Sequence, residues 1–266
     1  MLTSPYLEWR VRLKRFITNK YTLYALGIIA FVLLWWIIAL IINEPRAIFP
    51  DPISTISYSF NILGKKYFYI SLGYSLLKLI IGFTIAFVLG MVLGLIAGNF
   101  PSFHKFLSPT MTVLKAIPTV AVVFLFLVLV RARNMPILTV VLIVFPIIYE
   151  ATCGGINNID TNIIQALKLD CRSFLKGNLK VKLPLAMPYV LVGVASSFAL
   201  SIKIEIMAEA LSGFTGYGLG VAIRYAQENN PGNMVPVFAY SFLSIVIMLI
   251  ISLGANLIKS AIKKRL

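Results

Sequence analysis

Charge is what this chain has least of. Only 12% of its 266 residues are Asp, Glu, Lys or Arg and 59% are hydrophobic, whereas soluble globular proteins run at about 25% and 45–50%. Too little polar surface remains to clothe a fold in water. A soluble enzyme, a secreted disulfide scaffold and a disordered regulator are therefore excluded, and the solvent of most of the chain is lipid. One histidine and two cysteines, Cys153 and Cys171, supply neither a metal-ligand set nor a disulfide framework. His104, beside Lys105 in what reads as a short loop, is expected to be solvated. Membrane-embedded catalysis would need an HExxH, a His pair or an Asp cluster, and the sequence has none. Acidic residues are the scarcer sign, 9 against 24 Lys and Arg, for a net charge of +15. In a soluble protein that excess would suggest nucleic acid. In so apolar a chain it reads as basic loops held on one side of a membrane, with no nucleic-acid partner.

Long apolar runs are what the chain does have. Residues 21–42 form an unbroken one of 22 residues, about 33 Å as a helix against a hydrocarbon core of about 30 Å. The run is too long for a signal-peptide core and ends in Asn43-Glu44-Pro45 rather than a small-residue cleavage site, so it reads as a retained first span. Further spans are expected at about 71–98, 107–130, 136–156, 187–211 and 235–258. The fold class is thus all-α and polytopic with six transmembrane helices, since lipid offers backbone groups no partner outside a helix or closed barrel. Alternating strands are absent, and residues 1–266 read as one domain. With the N-terminus inside, fifteen Lys and Arg fall in inner segments and six in outer ones. That predicts both termini in the cytoplasm. Pro118 should kink the third span. Phe49-Pro50-Asp51-Pro52 should form a rigid turn into an amphipathic interfacial segment over 53–63.

Four features could carry function. The inner loop 157–186 contains Asp160, a plausible N-cap, followed by a short helix with Ile163, Ala166, Leu167 and Asp170 on one face. A second short helix through Phe174 should stop near Gly177-Asn178, after which Pro184 and Pro188 return the chain to the membrane. The loop is either a structured docking platform or a segment lying on headgroups. In the second span Gly82, Ala86, Gly90, Gly94 and Gly98 make a small-residue stripe that allows close helix approach, within one subunit or across a subunit interface. Intramembrane charges cost roughly 2.5–3.5 kcal/mol each at mid-helix. Glu205 and Glu209 share a face of span five, Glu209 near its outer end where the cost falls. Lys203 points the other way and needs a partner elsewhere, with Lys115 of span three a like charge. These groups either line a water-filled path or are structural pairs. Pro118 could serve as a gate hinge or simply accommodate packing.

Several short motifs, in order, resemble one family. Gln165-Ala166-Leu167, then Cys171, then Leu183-Pro184 and Pro188 resemble the EAA loop of ABC-importer permeases. Phe49-Pro50-Asp51-Pro52, Ser75-Leu76-Leu77-Lys78 with Gly82-Phe83, Pro109 followed by Lys115-Ala116-Ile117-Pro118, Phe145-Pro146 with Gly154, and Glu209 before Gly218-Leu219-Gly220 extend the likeness over almost the whole chain. The nitrate/sulfonate/taurine-type permeases are the most similar group. Two positions depart from the pattern: Gln165 stands for the family's Glu and Cys171 for its Gly.

The resemblance implies a type I, six-helix permease subunit of the cell membrane that hydrolyses nothing itself. It implies cytoplasmic ABC ATPase subunits carrying ATP and Mg, an extracytoplasmic solute-binding protein, a second permease copy and surrounding lipid as partners. The chain has no Gly-x4-Gly-Lys-[Ser/Thr] of its own. Coupling would run through Asp160, Ile163, Gln165, Ala166, Leu167, Asp170, Cys171, Arg172, Phe174 and Pro184. Translocation would involve Lys115, Pro118, Lys203, Glu205 and Glu209, for a small anion such as a sulfonate or nitrate. The alternative is a secondary transporter using Glu205 and Glu209 as a proton relay.

Overall fold

The computed structural model describes residues 19–42, 48–170 and 177–263, without the side chains of 21, 168, 170 and 255–263. Among the described residues every regular element is a helix. In chain order they are α1 (Lys20–Ile42), α2 (Pro52–Leu63), α3 (Lys66–Asn99), α4 (Pro101–Ala116), α5 (Thr119–Leu129), α6 (Met135–Asn157), α7 (Thr161–Asp170), a π turn (Asn178–Lys182), α8 (Leu183–Leu211), α9 (Leu219–Asn229) and α10 (Val235–Lys263). Five helices are long and apolar enough to cross a membrane, or six if α4 and α5 count as one broken span.

The kink expected at Pro118 in the third span is a full break, with two helices meeting at 97°. The cause is local. Proline drives the residue before it out of the helical region, and Ile117 is extended at φ −67°, ψ 125°. Pro118 then restarts the ladder as N-cap of α5. Upstream, Pro101 begins α4 at its first helical position, where a missing N–H costs nothing. His104 therefore lies in a helix rather than a loop. Its Nδ1 sits 3.2 Å from the Tyr149 hydroxyl and 3.5 Å from Cys153 Sγ, so the ring is packed against α6 rather than solvated.

Around α6 the bundle is closest. The stripe of α3 lies directly on it: a Cβ added at Gly90 would stand 2.8 Å from Ile148 Cβ, at Gly94 2.7 Å from Thr152 Cβ, at Gly98 2.8 Å from Ile156 Cβ, and at Gly82 3.1 Å from Val140 Cβ. Ala86 is fully buried in the same seam with Val140, Val144 and Ile148. Of the two partners the sequence leaves open, the stripe takes the one inside the subunit. On its other side α6 meets α8, where Gly193 faces Ala151 and Gly155 faces Ala186. A second core joins α3, α8, α9 and α10 through Leu79, Ile202, Leu219 and Leu243.

The expected stop at Gly177-Asn178 does not occur. Gly177 is already helical (φ −61°, ψ −43°), and the chain runs through the π turn into α8. The proline at 184 accounts for the turn. Its ring would clash with the carbonyl four residues back in an α ladder. Here the Leu183 N–H instead reaches Asn178 O, five residues back, which widens the turn. Lys182 Nζ donates to Asn99 Oδ1 and ties this end of α8 to α3.

At the other end of the bundle, α2 packs on α10 with Thr55, Ser59 and Ile62 buried. Asp51 is its N-cap: the carboxylate accepts from the Ser54 hydroxyl and from the Ser54 amide at 3.0 Å. Those bonds, the hydroxyl's first, hold the Asp51 pKa below the ordinary carboxylate value. The folded pKa is depressed, so the cap's contribution is present above the unfolded pKa and is lost as pH falls through the folded one. Asp51→Ala is expected to cost about 1 kcal/mol at neutral pH. The difference in melting temperature between wild type and variant should shrink in acid, and a pH-independent difference would refute the assignment.

Candidate functional site

Three helices and one connection converge on a single buried carboxylate. Glu209, in the last turn of α8, is 0% exposed. Its Oε1 accepts from Lys78 Nζ of α3 at 2.6 Å. Its Oε2 accepts from Ser75 Oγ at 2.6 Å and from the Gly220 amide at 3.1 Å. Ser75 Oγ in turn accepts from the Leu219 amide at 2.8 Å. Leu219 and Gly220 are the first residues of α9, whose own N-cap, Gly218, has no side chain to offer. A carboxylate brought in from α8 thus caps α9, where orphan amides and the helix dipole favour negative charge. The approach needs glycine. A Cβ at Gly218 would lie 2.4 Å from Glu209 Oε1, and one at Gly220 2.1 Å from Ile206 O. The Phe214 ring lies 5.4 Å from Lys78 Nζ and covers the cation.

Of the two readings the sequence leaves open for Glu209, the structure shows the structural pair, sealed in the bundle near the end of α8. Glu205, one turn earlier, is 1% exposed. Its Oε1 has no hydrogen-bond partner among the described residues. It lines a small space of about 10 Å³ with Ser75 and Ser244, room for about one water. Neither carboxylate opens onto a path, so the proton-relay alternative is not favoured. Lys203 is exposed on the opposite side of α8. Lys115 does not approach it; its Nζ is 2.5 Å from Glu150 Oε1 of α6, and both groups are exposed. Glu150 also stands at a groove of about 1160 Å³ between α6 and α8, walled by Ala151, Gly155, Pro184, Pro188 and Tyr189.

The inner loop begins as a capped helix. Asp160 Oδ1 accepts from the Asn162 amide at 2.8 Å, and Asp160 O accepts the first ladder bond, from Ile164. The helix that follows divides its apolar residues differently from expectation. Leu167 turns inward, its Cδ2 3.4 Å from where a Gly177 Cβ would be. Ile163 and Ala166 are exposed, and so is Leu169, at 87%, a residue the sequence reading passes over. Its position three residues past Ala166, on the Ile163 stripe, is the signal that could have found it. Gln165 is exposed beside them and Pro184 is exposed on α8. The side chain of Asp170, and Cys171, Arg172 and Phe174 entirely, lie outside the described residues. The missed polar partners of Glu209, Ser75 and Lys78, lie one turn apart within an apolar run of α3. That placement, and the Ser75-Leu76-Leu77-Lys78 motif in which both fall, were their signals.

The comparisons with known proteins agree with this architecture. A family model described as "binding-protein-dependent transport system inner membrane component" matches residues 88–265. The bicarbonate transport system permease protein CmpB of Synechocystis sp. is 27% identical over 214 residues, 76% of each chain. The putative aliphatic sulfonates transport permease protein SsuC of Bacillus subtilis is 24% identical over 211 residues, 78% of this chain and 76% of that one. Among solved structures, an inward-facing conformation of the MetNI methionine ABC transporter matches 73% of this chain and 93% of its own, with a TM-score of 0.59 at 18% identity. At that identity the likeness is one of fold.

Proposed function

The chain belongs to the family of binding-protein-dependent transport system inner membrane components, as an ABC-importer permease for a small solute, and from that premise we propose that it moves a small anion and is driven by separate ATPase subunits gripping α7. The observation that carries the motor half of this reading is the exposed stripe Ile163, Ala166, Leu169 on a helix fixed at its start by Asp160. A folded helix that presents apolar side chains away from its own bundle is built for a protein groove. Gln165 flanks the stripe. The continuous rod from Gly177 through Pro184 into α8 passes a push on this end along the whole span as a rigid body.

The anion half is supported by the bicarbonate and aliphatic-sulfonate systems to which the two relatives belong. It is supported also by Lys203, a cation exposed in the middle of α8 where no carboxylate pairs with it among the described residues. In this reading two copies of the chain face each other across α8. Lys203 and the groove beside Tyr189 line the path, and the α4–α5 break at Pro118 gives way as it opens. An extracytoplasmic binding protein delivers the solute to the end opposite α7, and ATP with Mg is bound only on the motor, at the cytoplasmic face.

Ala166→Asp with Leu169→Asp is expected to lower recovery of the ATPase with the purified permease at least about thirtyfold, the weight of a central contact. The melting temperature of the permease should be unchanged, because both side chains are exposed. Full recovery of the ATPase with the double variant would overturn the coupling assignment.

A further inference from the structure

Arg131 and Arg133 occupy the short connection between α5 and α6, and both are exposed. Among the described residues neither has a carboxylate within ion-pair distance; the three ion pairs there are Lys78–Glu209, Lys115–Glu150 and Arg224–Glu228. Both residues line a pocket of about 300 Å³ together with Asn134, Tyr74, Leu77 and Lys78. The pocket lies at the start of α6, the end of the bundle away from α7. Asn134 is the N-cap of α6 but makes no side-chain cap bond, so its amide is not committed to the helix. The positive end of the α6 dipole points the same way. Lys78 adds no net charge, since Glu209 neutralises it, and no carboxylate lines the space. Tyr74 is held in place by stacking on Tyr217, centroids 5.6 Å apart.

We propose that this pocket is a binding site for a compact oxyanion. Two guanidinium forks match the planar or tetrahedral oxygen faces of carboxylate, bicarbonate, sulfonate or phosphate groups. A helix N-terminus behind them adds a favourable dipole, and Leu77 and Ile81 give the pocket an aliphatic side. The volume suits a solute of a few heavy atoms or one lipid headgroup. Both sources present the same chemistry, so the anion is either the solute on its way in or the phosphate of an anionic lipid. The site's existence is independent of the importer reading, and only the first source rests on it.

The test uses the full chain in nanodiscs of phosphatidylcholine alone, with radiolabelled methanesulfonate as probe in equilibrium dialysis. In parallel, nanodiscs holding one-fifth phosphatidylglycerol are stripped with detergent and the retained lipid is counted by native mass spectrometry. Arg131→Gln with Arg133→Gln is the variant. Its folding is checked by melting temperature, and its recovery of the ATPase reports separately on the importer reading. Methanesulfonate bound by wild type and weakened at least about tenfold in the variant supports the site with the solute as occupant. No methanesulfonate but phosphatidylglycerol retained by wild type and lost in the variant supports it with lipid as occupant. Binding of neither, or equal binding by wild type and variant, overturns it.

Discussion

Lys78→Met is expected to destabilise the protein by about 3–5 kcal/mol, the penalty for leaving the other member of a buried pair uncompensated. Glu209 would remain 0% exposed with only Ser75 and the Gly220 amide to meet its charge. The loss would spread from α3 to α8 and to the start of α9, since all three are joined through this one carboxylate. Glu209→Gln alone should cost a similar amount by stranding the ammonium. Lys78→Met together with Glu209→Gln should recover most of it. The amide oxygen can still accept from Gly220, and no net charge stays buried. Stability can be read from the rate at which buried Cys153 is modified by a thiol reagent during denaturant titration. A Cys171→Ser background leaves Cys153 as the sole thiol. A single variant within about 1 kcal/mol of wild type, or a double variant no better than the single, would show that the pair does not hold the helices together.

The pairing itself is not legible in the sequence. Lys78 and Glu209 are 131 positions apart, and nothing in either helix says which face crosses which. What sequence does report is the cost: each is a charge in an apolar run, so each must find a partner. Composition fixes the number of long helices for the same reason, because lipid tolerates no unsatisfied backbone. Pro118 announces a break but not its 97°, because that angle is set by how α5 packs on α6 through Val123 and Met135. In α7 the helical phase was legible, whereas the side facing home was not. That side is decided by Gly177, on a return segment whose position no local pattern encodes. Leu167 therefore packs toward Gly177, while Leu169, of which nothing was expected, is exposed. The small-residue stripe lies midway: its spacing identified a contact face, and only the fold supplied α6 as the partner.

Substitution in that stripe carries the second large effect. In lipid no hydrophobic force drives helices together, so the α3–α6 seam rests on close van der Waals contact. A Cβ at Gly94 would sit 2.7 Å from Thr152 Cβ and 2.7 Å from the carbonyl oxygen of Tyr149. The second obstacle is backbone and cannot rotate away. Gly94→Ala should thus cost about 1–3 kcal/mol as ordinary overpacking. Gly94→Leu must part the helices by more than a methyl group's width, forfeiting contacts from Gly82 to Gly98 at once, since a gap of 0.5–1 Å already loses a quarter to a half of each well. The same insertion where space is open gives the control. Gly73 and Gly154 have nothing within 4 Å of an added Cβ, and alanine in a helix is favoured over glycine by up to about 1 kcal/mol. Gly73→Ala and Gly154→Ala should therefore be neutral or stabilising while Gly94→Leu leaves little folded protein after detergent extraction. Equal melting temperatures for Gly94→Leu and Gly154→Ala would mean that α3 and α6 are not pressed together along this line, and the interior of the bundle would have to be rebuilt around another contact.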